Sequence, residues 1–227
     1  MSSVGERVKV VWTILLKDLR TELRTRQTLI STLVFSLLIL VVFQFSFDLR
    51  GADLITLAPG VLWATFIFNG VLVLGRIFAL EREHSTIEAL ALAPIDRGQI
   101  FAAKWSLCVL LMLATEAAVL LVFGGMFNTT AFSPVILLGA VLATIGFAAA
   151  GTSLAVVAFN TRAREVMLPL LLLPLTVPVI IAAVRVTSLA LAGAGFGTVA
   201  PWLNLLGAFD ILFGVVCYYS FGVLLEE

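Results

Sequence analysis

Two acidic residues stand inside long apolar runs, Glu116 in SLCVLLMLATEAAVLLVFGG and Asp210 in WLNLLGAFDILFGVVCYY. A carboxyl group at membrane depth is costly, so each is expected to face a bundle interior, a cavity or a partner. Each then serves a substrate or conformational path, accepts hydrogen bonds from neighbouring Ser, Thr or Asn residues, or sits nearer an interface than the span bounds imply. Hydrolytic chemistry needs more than these two. The single histidine, His84, lies in a charged segment, so no Ser/His pair forms within the apolar runs. One Asp and one distant Glu do not make an aspartyl dyad. HExxH is absent, and so is GxxxxGK[ST], the loop that cradles ATP phosphates. Cys108 and Cys217 are far apart within apolar runs and form no CxxC or Cys/His cluster, which points to packing rather than to a disulfide or metal site. The chain is therefore expected not to be an enzyme, to hold no metal, and to leave any ATP hydrolysis to a partner.

A second constellation lies in the charged stretch 76–104, RIFALEREHSTIEALALAPIDRGQIFAAK. Ser85 followed by Glu88 has capping-box spacing, Ile87, Leu90 and Ala91 form a small apolar face, and Pro94 ends the element. This spacing predicts a short amphipathic helix. It either docks into a groove of another protein, with Ile87 and Leu90 as anchors and Glu81, Glu83 and Glu88 as the polar rim, or packs on its own bundle.

These residues must be positioned by a membrane domain. Of the 227 residues 61% are hydrophobic and 12% charged, with a mean hydropathy of +1.14, beyond ordinary soluble usage. Neither charged stretch, 1–26 or 76–104, is long enough to bury a core of its own. An all-α chain follows, a single transmembrane domain over 1–227. Six spans are expected at about 28–47, 54–75, 105–127, 134–158, 166–184 and 202–225, since the hydrocarbon core takes roughly 20 apolar residues. The first is read as a retained span, because a cleaved leader has a shorter apolar core. Gly193, Gly195, Gly197 and Pro201 make 186–201 a loop or interfacial segment. Pro169, Pro174 and Pro178 are expected to kink the fifth span.

Val8, Trp12, Leu15, Leu19 and Leu23 fall on one stripe of an N-terminal helix whose other faces carry Lys9, Lys17, Arg20, Arg24 and Arg26. Such a helix is expected to lie in the headgroup plane, with membrane lipid rather than nucleic acid as its partner, the alternative being a plain basic flank. Lys and Arg set the orientation. Twelve of the fourteen lie in 1–27, 76–104 and 159–165, leaving only Arg50 and Arg185 on the other side. The positive-inside rule then puts both termini in the cytoplasm. Arg76, at the end of the second span, is expected to snorkel to the headgroups.

The run PGVLWATFIFNGVLVLGRIFALEREHSTIEALALAPIDRGQIFAAKW at 59–105 resembles the CcmB, or haem exporter protein B, family of cytochrome c maturation. The resemblance is carried by Pro59-Gly60-x-x-Trp63, Arg76-x-Phe78-x-x-Glu81, and Ile87-Glu88-x-Leu90-x-Leu92-x-Pro94 ending at Lys104. LPLLLLPLTVPVI at 168–180 and DLRTELRTRQTL at 18–29 are similar to the family too. His84 and Ser85 depart from its usual acidic residue and glycine. The resemblance implies an ABC-2 type permease in the bacterial cytoplasmic membrane, with haem as cargo. The implied partners are a CcmA-like ATP-binding subunit, CcmC-, CcmD- and CcmE-like proteins, and a second permease copy. It also implies that Glu81, Glu83, Ser85, Ile87, Glu88, Leu90, Leu92 and Pro94 form a coupling segment that docks on the ATPase. An ABC-2 permease for a lipid, glycan or drug remains the first alternative, and a scaffold or channel without an ATPase the second.

Overall fold

The computed structural model describes residues 4–47, 52–83, 95–127, 133–159 and 164–224. Within them the chain forms seven helices: α1 (Val4–Thr25), α2 (Gln27–Phe47), α3 (Ala52–Glu83), α4 (Arg97–Phe127), α5 (Pro134–Phe159), α6 (Arg164–Leu191) and α7 (Phe196–Leu224). All but α1 are long and apolar enough to cross a membrane. The protein is an all-α membrane protein, as its apolar runs require.

Helix α5 is the hub, packed against α3, α4, α6 and α7. Its small residues permit this. A Cβ on Gly139 would come within 2.8 Å of Val186 Cγ1 on α6, and one on Gly146 within 2.8 Å of the Phe209 ring on α7. Lipid gives helices no hydrophobic reason to associate, so close backbone approach at such residues supplies the packing contacts.

Three stretches differ from the expected layout. Helices α3 and α4 have 32 and 31 residues, about 45–48 Å at 1.5 Å per residue, so both project beyond a core about 30 Å thick. Much of 76–104 is thus helical continuation of the second and third spans, with Asp96 accepting from the Gly98 amide (3.1 Å) to cap α4. The predicted helix at Ser85–Pro94 lies outside the described residues.

The segment 186–201 is not a loop: α6 runs to Leu191 and α7 starts at Phe196. Its glycines are punctuation. Gly193 has φ +69, its amide bonds to Ala190 O (3.1 Å), and the Ala194 amide bonds to Leu189 O (2.9 Å). Those two bonds and a left-handed glycine end α6 in a Schellman motif. Pro201 falls early in α7, where its missing donor breaks only one backbone bond.

Finally, α1 buries Ile14, Leu15, Asp18 and Glu22, while Val8, Trp12 and Leu23 of the expected stripe stay exposed. The buried face lies roughly a quarter turn from that stripe at 3.6 residues per turn. It packs mainly on α4, drawing Leu15 and Leu19 of the stripe toward the core and leaving Val8, Trp12 and Leu23 to the surroundings. Helix α6 is continuous through Pro169, Pro174 and Pro178.

Candidate functional site

The apolar interior divides into two clusters. One, at the α1 end, includes Leu15, Phe78, Ile100, Phe101, Met112, Phe147, Leu172 and Phe221. The other includes Leu40, Trp63, Phe66, Val119, Phe123, Ala143, Val179 and Leu206. Functional side chains gather at two levels relative to these clusters.

The first level is the junction between them. Each spanning helix places a polar residue where its own residues pass from one cluster to the other: Ser36, Asn69, Thr115 with Glu116, Thr144, Thr176 and Asp210. Asn69 Nδ2 donates to Thr115 Oγ1 (2.6 Å), joining α3 to α4. Thr144 Oγ1 donates to Glu116 Oε2 (2.7 Å), joining α4 to α5. Glu116, 4% exposed, therefore faces the bundle interior and is held by a threonine, one of the arrangements expected for it. Asp210 rests against Gly146, so that a Cβ there would strike its Oδ1. Its buried carboxylate oxygens have no side-chain partner among the described residues. Chemically this layer is rich in acceptors, since Asn69 Oδ1 is also unpaired there. Beyond it, Trp63 Nε1 donates to Thr187 Oγ1 (2.9 Å), joining α3 to α6.

The second level is the α1 end of the bundle. Lys104 on α4 is fully buried. Its Nζ lies 2.6 Å from Asp18 Oδ2 on α1 and donates also to Glu81 Oε1 on α3. Lys17, half exposed, reaches the other Asp18 oxygen at 3.0 Å. Glu81 was expected on the rim of a docking helix; its carboxylate instead turns inward to this lysine. The side chain of Glu83 and all of His84, Ser85, Ile87, Glu88, Leu90, Leu92 and Pro94 lie outside what is described.

Around the clamp, other bonds fix the ends of the helices. Glu22 Oε1 accepts from the amides of Thr28 (2.8 Å) and Leu29 (3.2 Å), and Oε2 from Thr28 Oγ1 (2.8 Å), so α1 caps α2 across Arg26. Arg26 takes up the turn with φ 53. Arg97 Nη1 donates to Gly222 O (2.9 Å) and Trp105 Nε1 to Ile145 O (3.0 Å), tying α4 to α7 and α5.

Sequence reasoning missed Asp18 and Lys104 as partners. The available signal was a lysine opening an apolar run, since a buried cation needs an acid. No group of three or more potential metal ligands occurs among the described residues.

Residues 9–226 match the family described as CcmB protein. The chain is 31% identical over 186 residues to heme exporter protein B of Paracoccus denitrificans, covering 80% of this chain and 84% of that one. To heme exporter protein B of Rhodobacter capsulatus it is 28% identical over 173 residues, 74% and 78% of the two chains. A shorter match, 28% over 93 residues, links it to heme exporter protein B of Escherichia coli K12.

Proposed function

The chain belongs to the CcmB protein family, and from that premise we propose how it works within a haem-export system. It is a multi-pass permease subunit serving haem export in cytochrome c maturation. The observation that carries this reading is the family match over 9–226, which takes in all six potential spans.

ATP is hydrolysed by a separate CcmA-like subunit, and the segment from Glu81 to Pro94 is where that subunit docks. Support comes from the stems on either side. Helices α3 and α4 project beyond the hydrocarbon and share Lys104, so a push on the segment between them moves two spans and α1 together rather than bending a loop. Ile87 and Leu90 anchor the contact, with Glu83, Ser85, Glu88, Leu92 and Pro94 completing the surface, while Glu81 serves as the hinge-side brace through its lysine. Twelve of the fourteen basic residues orient the α1 end, and both termini, toward the cytoplasm in a bacterial inner membrane. CcmC-, CcmD- and CcmE-like proteins and a second permease copy complete the assembly. Haem is cargo, not a resident cofactor. Glu116 and Asp210 line the layer whose hydrogen bonds change as the spans shift.

The test is mass-spectrometric identification of proteins retained by the tagged chain from native membranes, for wild type and Leu90→Asp. Wild type is expected to retain an ABC ATPase with haem-handling maturation proteins, and Leu90→Asp to lose the ATPase while still inserting. Unchanged ATPase recovery by Leu90→Asp removes the docking assignment. An ATPase accompanied by unrelated partners keeps the permease and discards the haem cargo.

A further inference from the structure

A half-open cavity of about 580 Å³ lies between α2 and α6 at the α1 end of the bundle, within the range of about 300–1,000 Å³ typical of small-molecule sites. Helices α2 and α6 each pack on α3 without substantial contact with each other, so α3 floors the gap. Phe35, Leu72, Phe78, Ala155 and Leu168 give it apolar walls. Ser31 and Thr32, on the α2 wall, direct their hydroxyl protons to Thr28 O (3.1 and 2.7 Å), so they add no strong donor. Arg76 is the single charged residue of the lining. It is exposed and makes no ion pair or hydrogen bond among the described residues. Gly75 leaves the floor bare, since a Cβ there would meet nothing within 4 Å.

We infer that this cleft is a binding site for an anionic phospholipid, one acyl chain lying along α3 between α2 and α6 and the headgroup phosphate on Arg76. Three observations converge. The walls are apolar and open sideways between two spans, the route by which a chain in the bilayer enters. Among the described residues the one cation has no acid of its own, whereas the buried Lys104 has two. A guanidinium offers phosphate a planar, bidentate fork, and Arg76 reaches toward the headgroups on an apolar stem. Arg76 would thus do more than snorkel: it would select the charge of the lipid seated beside the stem of α3. The inference stands apart from the haem reading, because a lipid seat would be needed whatever the cargo.

The experiment is native mass spectrometry of the full-length chain in mild detergent, titrated with dioleoyl phosphatidylglycerol or dioleoyl phosphatidylcholine. Wild type is expected to retain one phosphatidylglycerol in preference to phosphatidylcholine. Arg76→Gln should lower that preference about fivefold, the equivalent of ~1 kcal/mol per basic residue at an anionic surface. Gly75→Leu, which grows into the cleft, should abolish retention of either lipid, with Gly75→Ala close to wild type. Arg76→Gln alters an exposed side chain without a partner among the described residues and so keeps the test decisive even where Gly75→Leu misassembles. Equal retention of the two lipids by wild type, or an unchanged preference in Arg76→Gln, overturns the inference. So does displacement of the lipid by added haemin, which would give the cleft to cargo.

Discussion

Acidic side chains are buried at both levels of this bundle, but in opposite company. At the α1 end, Asp18 and Glu81 converge on Lys104, and three helices are joined through one ammonium. At mid-depth, Glu116 has a threonine and Asp210 no side-chain partner among the described residues. The difference is one of stakes. A buried ion pair is not strongly stabilising against an apolar alternative, yet removing one partner strands the other charge and costs far more than the pair was worth. Hydrogen bonds between spans are weak and exchangeable, because a displaced polar group in a membrane protein finds another partner. The clamp therefore fixes α1, α3 and α4 as a unit, while the mid-depth layer lets spans change neighbours at small cost. A transporter that must carry motion inward from one end is served by such a division.

Lys104→Met tests the contrast most severely. It strands the buried Glu81 carboxylate without a cation and leaves Asp18 only the half-exposed Lys17, and a destabilisation of about 3–5 kcal/mol is expected, read as a fall in the thermal unfolding midpoint of the detergent-solubilised chain. The triple change Lys104→Met, Asp18→Asn, Glu81→Gln should recover much of that loss; failure to recover would mean that Lys104 matters by shape rather than by charge. Thr144→Val, which removes the donor to Glu116, should cost about 0.6 kcal/mol and not more than ~1.7. A loss as large as that of Lys104→Met would erase the distinction between the two levels. Asp210→Asn keeps the shape against Gly146 while removing a carboxylate that is costly at membrane depth, so stability should hold level or rise slightly. If Asp210 serves the transport step, the same variant lowers holocytochrome c yield in a complementation assay while stability stays level.

Much of the fold was legible because long apolar runs have few ways to exist: in lipid they must be helices that satisfy their own backbone. The helix ends were less legible. Charged residues such as Arg76–Glu83 and Arg97–Lys104 read as loop when helices are assumed to stop at the hydrocarbon edge, yet helix continues readily into water. The glycines at 193 and 195 carried the right signal for a turn but not its length, since one left-handed residue ends a helix as well as a long loop does. At the site, Glu116 and Asp210 stood out as charges in apolar runs. Ser36, Asn69, Thr115, Thr144 and Thr176 did not, because single hydroxyls and amides are common in spans and gain meaning only when they fall at one level.

What the sequence determined by itself was the class of molecule and its family: apolar run length set six spans, and the residues at 59–105 carried the resemblance that the match over 9–226 bears out. What only the tertiary structure decided was company. Lys104 meets Asp18 from 86 residues away in the chain, Gly146 lets α7 close on α5, and α2 and α6 stand apart over Arg76. Hydropathy and spacing act along the chain and so reveal which segments enter the bilayer. Pairing and cleft formation depend on how separate helices rotate and pack, which no local pattern encodes.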